Sequence, residues 1–169
     1  MLGSMLLGYT FMAMTLTSSS FAADAAIPRA HTCQGDETSP ALAWSDLPKG
    51  TRALALIVDD PDAPDPAAPR MTWVHWVLYN LPPSANGLPE GAKNASVPAG
   101  TRLGVNDFGH PGYGGPCPPV GRHRYVFKLY ALDAQLPDLG GKATKAAVEK
   151  AMHGHVLAEA RLVGTYQKS

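Results

Sequence analysis

Three polar clusters interrupt an otherwise apolar framework, and their residue types bound the chemistry this chain can do. The first is a set of carboxylates, Asp59, Asp60 and Asp62, inside "LIVDDPDAP" (56–64). The second is His75, a lone imidazole within "TWVHWVLYN" (72–80). The third is "GYGGPCPPVGRHRY" (112–125), where a glycine- and proline-rich loop runs into His123 and Tyr125. Imidazoles beside carboxylates can hold charge near neutral pH, and a phenol both donates and accepts a hydrogen bond. A loop such as Gly115-Pro116 lets backbone N–H groups approach a bound group, because glycine has no Cβ in the way. Each cluster also has a plain structural reading. Asp-Pro sequences favour turns, a lone histidine is more often satisfied in a core than used as a ligand, and the Gly/Pro loop could be only a turn.

The elements that must position these groups are strands. Ala53 to Asp59 is nearly all apolar, as expected of a strand covered on both faces. Strict alternation along Thr72 to Asn80 puts His75 on a face with Trp73, Val77 and Tyr79, opposite Val74, Trp76 and Leu78. A strand apolar on both sides is central, so His75 is expected to be buried and to need hydrogen-bond partners. Along Arg122 to Leu132, His123, Tyr125, Phe127 and Leu129 share one face and Arg124 and Lys128 the other. If the end of the first strand adjoins the start of the last, two imidazoles, a phenol and two carboxylates converge.

"ALAWSDLP" (41–48) reads as a short strand ending in a turn, and "RLVGTY" (161–166) as a closing strand. A helix is expected to start near Thr144, whose hydroxyl can cap the first turn, with Val148, Ala151 and Met152 on its apolar face. Gly154 should break it, and a second short helix is expected over His155 to Ala160. The fold class is mostly β, with short helices near the C-terminus.

Bulk properties narrow the function. Fourteen basic side chains balance fourteen acidic ones, and no basic run exists, so no nucleic-acid footprint is present. The 17 glycines and 16 prolines fall mostly between strand-like runs, which indicates a folded domain with elaborate loops. The segment Met1 to Ala22 carries no charge, has an apolar centre from Met5 to Leu16, and ends in small residues. It predicts a secretory signal cleaved after Ala22, or one residue later at Ala23, a single domain over 23–169 and a periplasmic or secreted location; the alternatives are an uncleaved anchor or a mis-called start, which would leave the chain cytoplasmic. The only two cysteines, Cys33 and Cys117, read as one disulfide in such a compartment; the alternative is a free nucleophilic Cys117. There is no GxSxG elbow, no P-loop and no local zinc-ligand spacing. Neither a catalytic role nor a cofactor nor a metal is expected.

"DPDAP" (60–64), "WVHWVLYN" (73–80), "NDFG" (106–109) and "GYGGPCPPVGRHRYVF" (112–127) together resemble the phosphatidylethanolamine-binding protein family, in its bacterial Raf-kinase-inhibitor-like branch. The motifs run in order from about Cys33 to Tyr166. The resemblance implies two antiparallel β-sheets and a small cavity for phosphate-bearing or other anionic groups. It assigns Asp60, Asp62, His75, His123 and Tyr125 to that site, with Gly115 and Pro116 on its rim, and allows a cis peptide at Pro61 or Pro64. Eukaryotic relatives close the site with a long C-terminal helix, whereas this chain ends "VGTYQKS". The function so implied is a non-enzymatic binding module for a phospholipid head group or phosphorylated ligand. Inhibition of a kinase or protease is the alternative, and metal-dependent hydrolysis ranks below both. A membrane would be met only through lipid head groups.

Overall fold

Eight consecutive residues with no exposed position form β3 (Ala53–Asp60), the centre of the fold. This is a computed structural model, and it describes residues 13–92 and 96–169. β3 is flanked on both sides, by β4 (Trp73–Leu81) and by β7 (His123–Leu132). The five-stranded antiparallel sheet is completed by β6 (Arg102–Leu103) beyond β4 and β8 (Val156–Tyr166) beyond β7. A second sheet of three strands runs β1 (Thr15–Thr17), β2 (Leu42–Ser45) and β5 (Gly87–Leu88).

The alternation within β3 divides the interior. Leu54, Leu56 and Val58 enter the core between the two sheets, with Trp76, Leu78, Tyr125, Phe127 and Leu129. Ala55 and Ile57 enter a smaller core on the other face, closed by α1 (Lys145–Met152) through Val148 and Met152. Thr144 caps α1 as expected, its hydroxyl accepting from the Ala147 N–H at 3.2 Å. Asp59 points to this helix side, where its buried carboxylate accepts from Lys128 Nζ at 2.8 Å and Lys145 Nζ at 2.7 Å. It fixes the helix to the sheet and takes no part in the opposite face.

One expectation meets a different structure. Residues His155 to Ala160 do not form a second helix; from Val156 onward they are the first half of β8. The composition Ala-Glu-Ala-Arg is helix-tolerant, but the edge of β7 offers ten register partners from Leu132 to His123, and sheet pairing overrides the weak local preference. The expected leader extends into the described residues. Met1 to Met12 lies outside the described residues, but β1 pairs with β2, and Met14, Leu16 and Phe21 are buried in the inter-sheet core. A boundary at Ala22 therefore cuts through this fold.

Candidate functional site

The end of β3 and the starts of β4 and β7 meet beside the loop 106–119, around a cavity of about 390 Å3. Its polar lining comes from Asp60, His75, His123 and Tyr125. Trp73, Phe108, Met71, Ala63 and Pro64 supply apolar wall, and Cys117, Pro118 and Pro119 close the opposite side. Phe108 and Met71 stay 42% and 49% exposed, so the mouth of the cavity is apolar.

His75 reaches this cavity through a β-bulge. Trp76 pairs with Val58 and Val74 with Asp59, which leaves His75 as the extra residue between them. Val74, Val77 and Tyr79 pack toward the helix side, while Trp76 and Leu78 enter the inter-sheet core. Strict alternation would have put His75 with Val77 and Tyr79. The bulge turns it to the cavity instead.

Once there, the ring is held on three sides. Nδ1 donates to the Gly114 carbonyl at 2.7 Å, and the Gly114 N–H returns a bond to the His75 carbonyl at 2.9 Å. Tyr125 and Phe108 meet the ring edge-on, at centroid distances of 5.1 and 5.4 Å. A carbonyl only accepts, so Nδ1 carries a proton and Nε2 holds the lone pair of the neutral ring. Burial pushes the His75 pKa below its ordinary value, with the Gly114 bond and the nearby acids opposing that shift. His75 is therefore neutral at pH 7, and no described residue occupies Nε2.

His123 is committed differently. Its Nδ1 lies 2.6 Å from Asp60 Oδ2 and its Nε2 lies 2.9 Å from the Val120 carbonyl oxygen. Nε2 donates to the Val120 carbonyl, and a proton shared between Nδ1 and Asp60 closes the imidazole–carboxylate pair on itself. The other Asp60 oxygen accepts from the Asp62 N–H at 2.8 Å and closes the turn.

Asp62 leaves the cavity. Its oxygens accept from the Arg124 backbone N–H at 2.8 Å, Nε at 3.0 Å and Nη2 at 2.7 Å. This fork holds the Asp62 carboxyl below the usual carboxylate range, against the opposing effect of burial. The Ala63–Pro64 peptide is cis, and it is the only cis bond among the described residues.

Gly115 and Pro116 are buried behind the wall and are not on its lining. A Cβ on Gly115 would stand 2.8 Å from the His31 carbonyl oxygen, so only glycine lets the loop lie this close to the 29–35 turn. The Cys33–Cys117 disulfide, the Cys33 N–H bond to Pro116 at 3.1 Å and the Tyr113 hydroxyl bond to His31 at 2.8 Å join the same two segments. Tyr125 is buried, which keeps its phenol protonated at any ordinary pH, and its hydroxyl has no partner among the described residues.

The structure thus brings Asp60, His75, His123 and Tyr125 together and sets Asp62, Gly115 and Pro116 one step back. Phe108 was not singled out as a site residue, although the sequence carried its signal in "NDFG". Asn106 Oδ1 accepts from the Phe108 and His110 N–H groups, and Asp107 Oδ2 accepts from the Val74 N–H at 2.8 Å. These bonds hang the Phe108 loop on β4 beside His75. Among the described residues no group of three or more His, Cys, Asp or Glu side chains is arranged to hold a metal ion.

Comparison with known proteins gives a consistent result. A family model described as phosphatidylethanolamine-binding protein matches residues 17–167. A UPF0098 protein of Methanothermobacter thermautotrophicus is 47% identical over 156 residues, covering 92% of this chain and 99% of the relative. The crystal structure of a putative phosphatidylethanolamine-binding protein homologue from Chlamydia trachomatis is 43% identical with a TM-score of 0.84, covering 93% and 99% of the two chains. That of Escherichia coli YbcL, described as a new member of the mammalian family, is 32% identical with the same TM-score, covering 94% and 100%.

Proposed function

The chain belongs to the phosphatidylethanolamine-binding protein family, and on that premise we propose that it is a non-enzymatic binding module for a phosphate-bearing or similar anionic group. One observation carries the reading: His75, whose Nε2 no described residue takes, and Tyr125, whose buried hydroxyl has no partner, line one cavity beside the Asp60–His123 pair, with apolar walls around them. A protonated oxyanion matches the pair. Its O–H can donate to His75 Nε2, and another of its oxygens can accept from the Tyr125 hydroxyl. In the complex that proton passes to Nε2, which then donates to the anion and strengthens the hold.

The histidine roles differ from a reading in which either imidazole serves equally. His123 spends both N–H donors on Asp60 and Val120, so it neutralises the carboxylate instead of reaching the ligand. Asp60 then adds little repulsion. The same commitment argues against catalysis, because neither Asp60 nor His123 has a free atom poised as base beside a nucleophile. The apolar mouth at Met71 and Phe108 suits an anion carried on an apolar stem. The Cys33–Cys117 disulfide supports an oxidising compartment, which makes the proposed location periplasmic or secreted.

Calorimetric titration with inorganic phosphate and with phosphoethanolamine at pH 6 tests the proposal. We expect saturable one-to-one binding that Tyr125→Phe weakens about tenfold, the cost of one charge-assisted bond. An affinity that Tyr125→Phe leaves unchanged would remove the ligand from this cavity.

A further inference from the structure

We propose that a second cavity, separate from the one at His75, binds a small alkylammonium compound. It measures about 520 Å3 and lies between the segments 36–39, 91–92 and 111–113, with Leu103 beside them. The loop 106–119 contributes to both cavities: its residues 111–113 line the second, and the next residue, Gly114, bonds His75. No lining residue is shared between them.

The charge of this second cavity is unbalanced. Ten of the fourteen acidic side chains accept a hydrogen bond or form an ion pair among the described residues. The four that do not are Asp24, Asp36, Glu37 and Glu90. Three of these gather at one place. Asp36 and Glu37 are exposed on the cavity lining, and Glu90 directly precedes Gly91 of the lining. Among the described residues the lining carries no Lys, Arg or His to answer them. The field reaches the neighbouring phenol: burial, and after it the charge of Glu37, push the Tyr113 pKa up.

A second observation is independent of charge. Ser39 lines the cavity, is only 3% exposed, and its hydroxyl has no hydrogen-bond partner among the described residues. A buried hydroxyl left this way costs stability and marks the place of a missing partner. The backbone around it is already spent. The Thr38 carbonyl accepts from His31 Nδ1 at 2.7 Å, and the Ser39 carbonyl accepts from the Gly91 N–H at 2.9 Å. Rotation about χ1 turns Ser39 Oγ to the cavity as an acceptor. An ammonium group donates three N–H bonds, which matches this hydroxyl and the Asp36 and Glu37 carboxylates. Ala92, Leu103 and Pro111 supply apolar wall for a short alkyl stem, and the volume suits an organic molecule better than a bare metal ion.

Titration of the full chain with butylammonium chloride, followed by 1H–15N NMR, tests the proposal. Potassium chloride at equal ionic strength and sodium butyrate are the controls. We expect saturable shifts centred on Ser39, Gly91 and Gly112, with a Kd of about 1–10 mM because both carboxylates are exposed. Neither control should produce them. Asp36→Asn combined with Glu37→Gln should weaken binding about tenfold. Ser39→Ala should weaken it about threefold and leave the fold at least as stable as the parent, since the hydroxyl it removes has no partner. That stability readout separates a lost ligand contact from a lost fold. Shifts that potassium chloride reproduces, an affinity that either variant leaves unchanged, or no saturation by about 100 mM would overturn the proposal.

Discussion

His123 Nδ1 lies 2.6 Å from Asp60 Oδ2 in a pair shielded from solvent, with the second ring nitrogen on the Val120 carbonyl at 2.9 Å. The two strands that supply them, β3 and β7, are neighbours, and the pair sits where both end at the cavity. A carboxylate that would repel an anion is thus tied into a buried pair with His123 that shares a proton between the two groups. The pair fixes the floor of the site and leaves ligand contact to His75 and Tyr125.

Removing one member should therefore cost stability first. Asp60→Asn leaves the buried His123 Nδ1 without its carboxylate partner, and we expect a loss of about 3–5 kcal/mol. Urea denaturation at pH 7 measures it. A loss under about 1 kcal/mol would mean that the pair is not held as described.

The Asp62–Arg124 fork has an acid limit. Asp62 titrates below its ordinary value in the folded chain, chiefly because of the Arg124 hydrogen bonds. Its contribution is full above the unfolded carboxylate range, near pH 4, and is lost as pH falls through the lowered folded value. Arg124 is 61% exposed at its side chain, so the contribution is discounted to about 1 kcal/mol. Arg124→Ala should flatten the stability profile between pH 4 and pH 2 by about that amount. A profile identical to the parent would contradict the assignment.

The first strand gives a third test. A chain beginning at Ala23 lacks β1 and the buried Met14, Leu16 and Phe21. At ~2 kcal/mol for each buried apolar side chain, we expect it to be about 6 kcal/mol less stable than one beginning at Ala13. Equal stabilities would show that β1 is dispensable and that processing at Ala22 is compatible with the fold.

The central strands were legible because their residues leave few options. Ala53–Asp60 and His123–Leu132 carry apolar or alternating runs that suit only buried strands, and Thr144 marks its helix by capping chemistry. The misses have local physical causes. Ala158 to Arg161 favours a helix until β7 offers its edge. At the site, the spacing of Asp60 and Asp62 suggested a shared direction, but they lie on a turn, and the Arg124 fork draws Asp62 outward. His75 belonged to the site although alternation aimed it at the wrong face, because one bulged residue is invisible to a period of two.

The central claim is that His75 Nε2 receives the anion and gains a proton in doing so. His75 is depressed below about 6.5 by burial, so without ligand the fold loses stability as pH falls from there through the lowered folded value. A bound anion favours the charged ring and should raise that value. The direct measurement is phosphate affinity between pH 8 and pH 5, with the His75 ring followed by NMR. We expect affinity to rise by up to about tenfold per pH unit at the low end, with Nε2 protonated in the complex, and His75→Gln to abolish the pH dependence. A flat affinity profile, or a His75 ring still neutral when phosphate saturates the cavity at pH 5, would contradict the account.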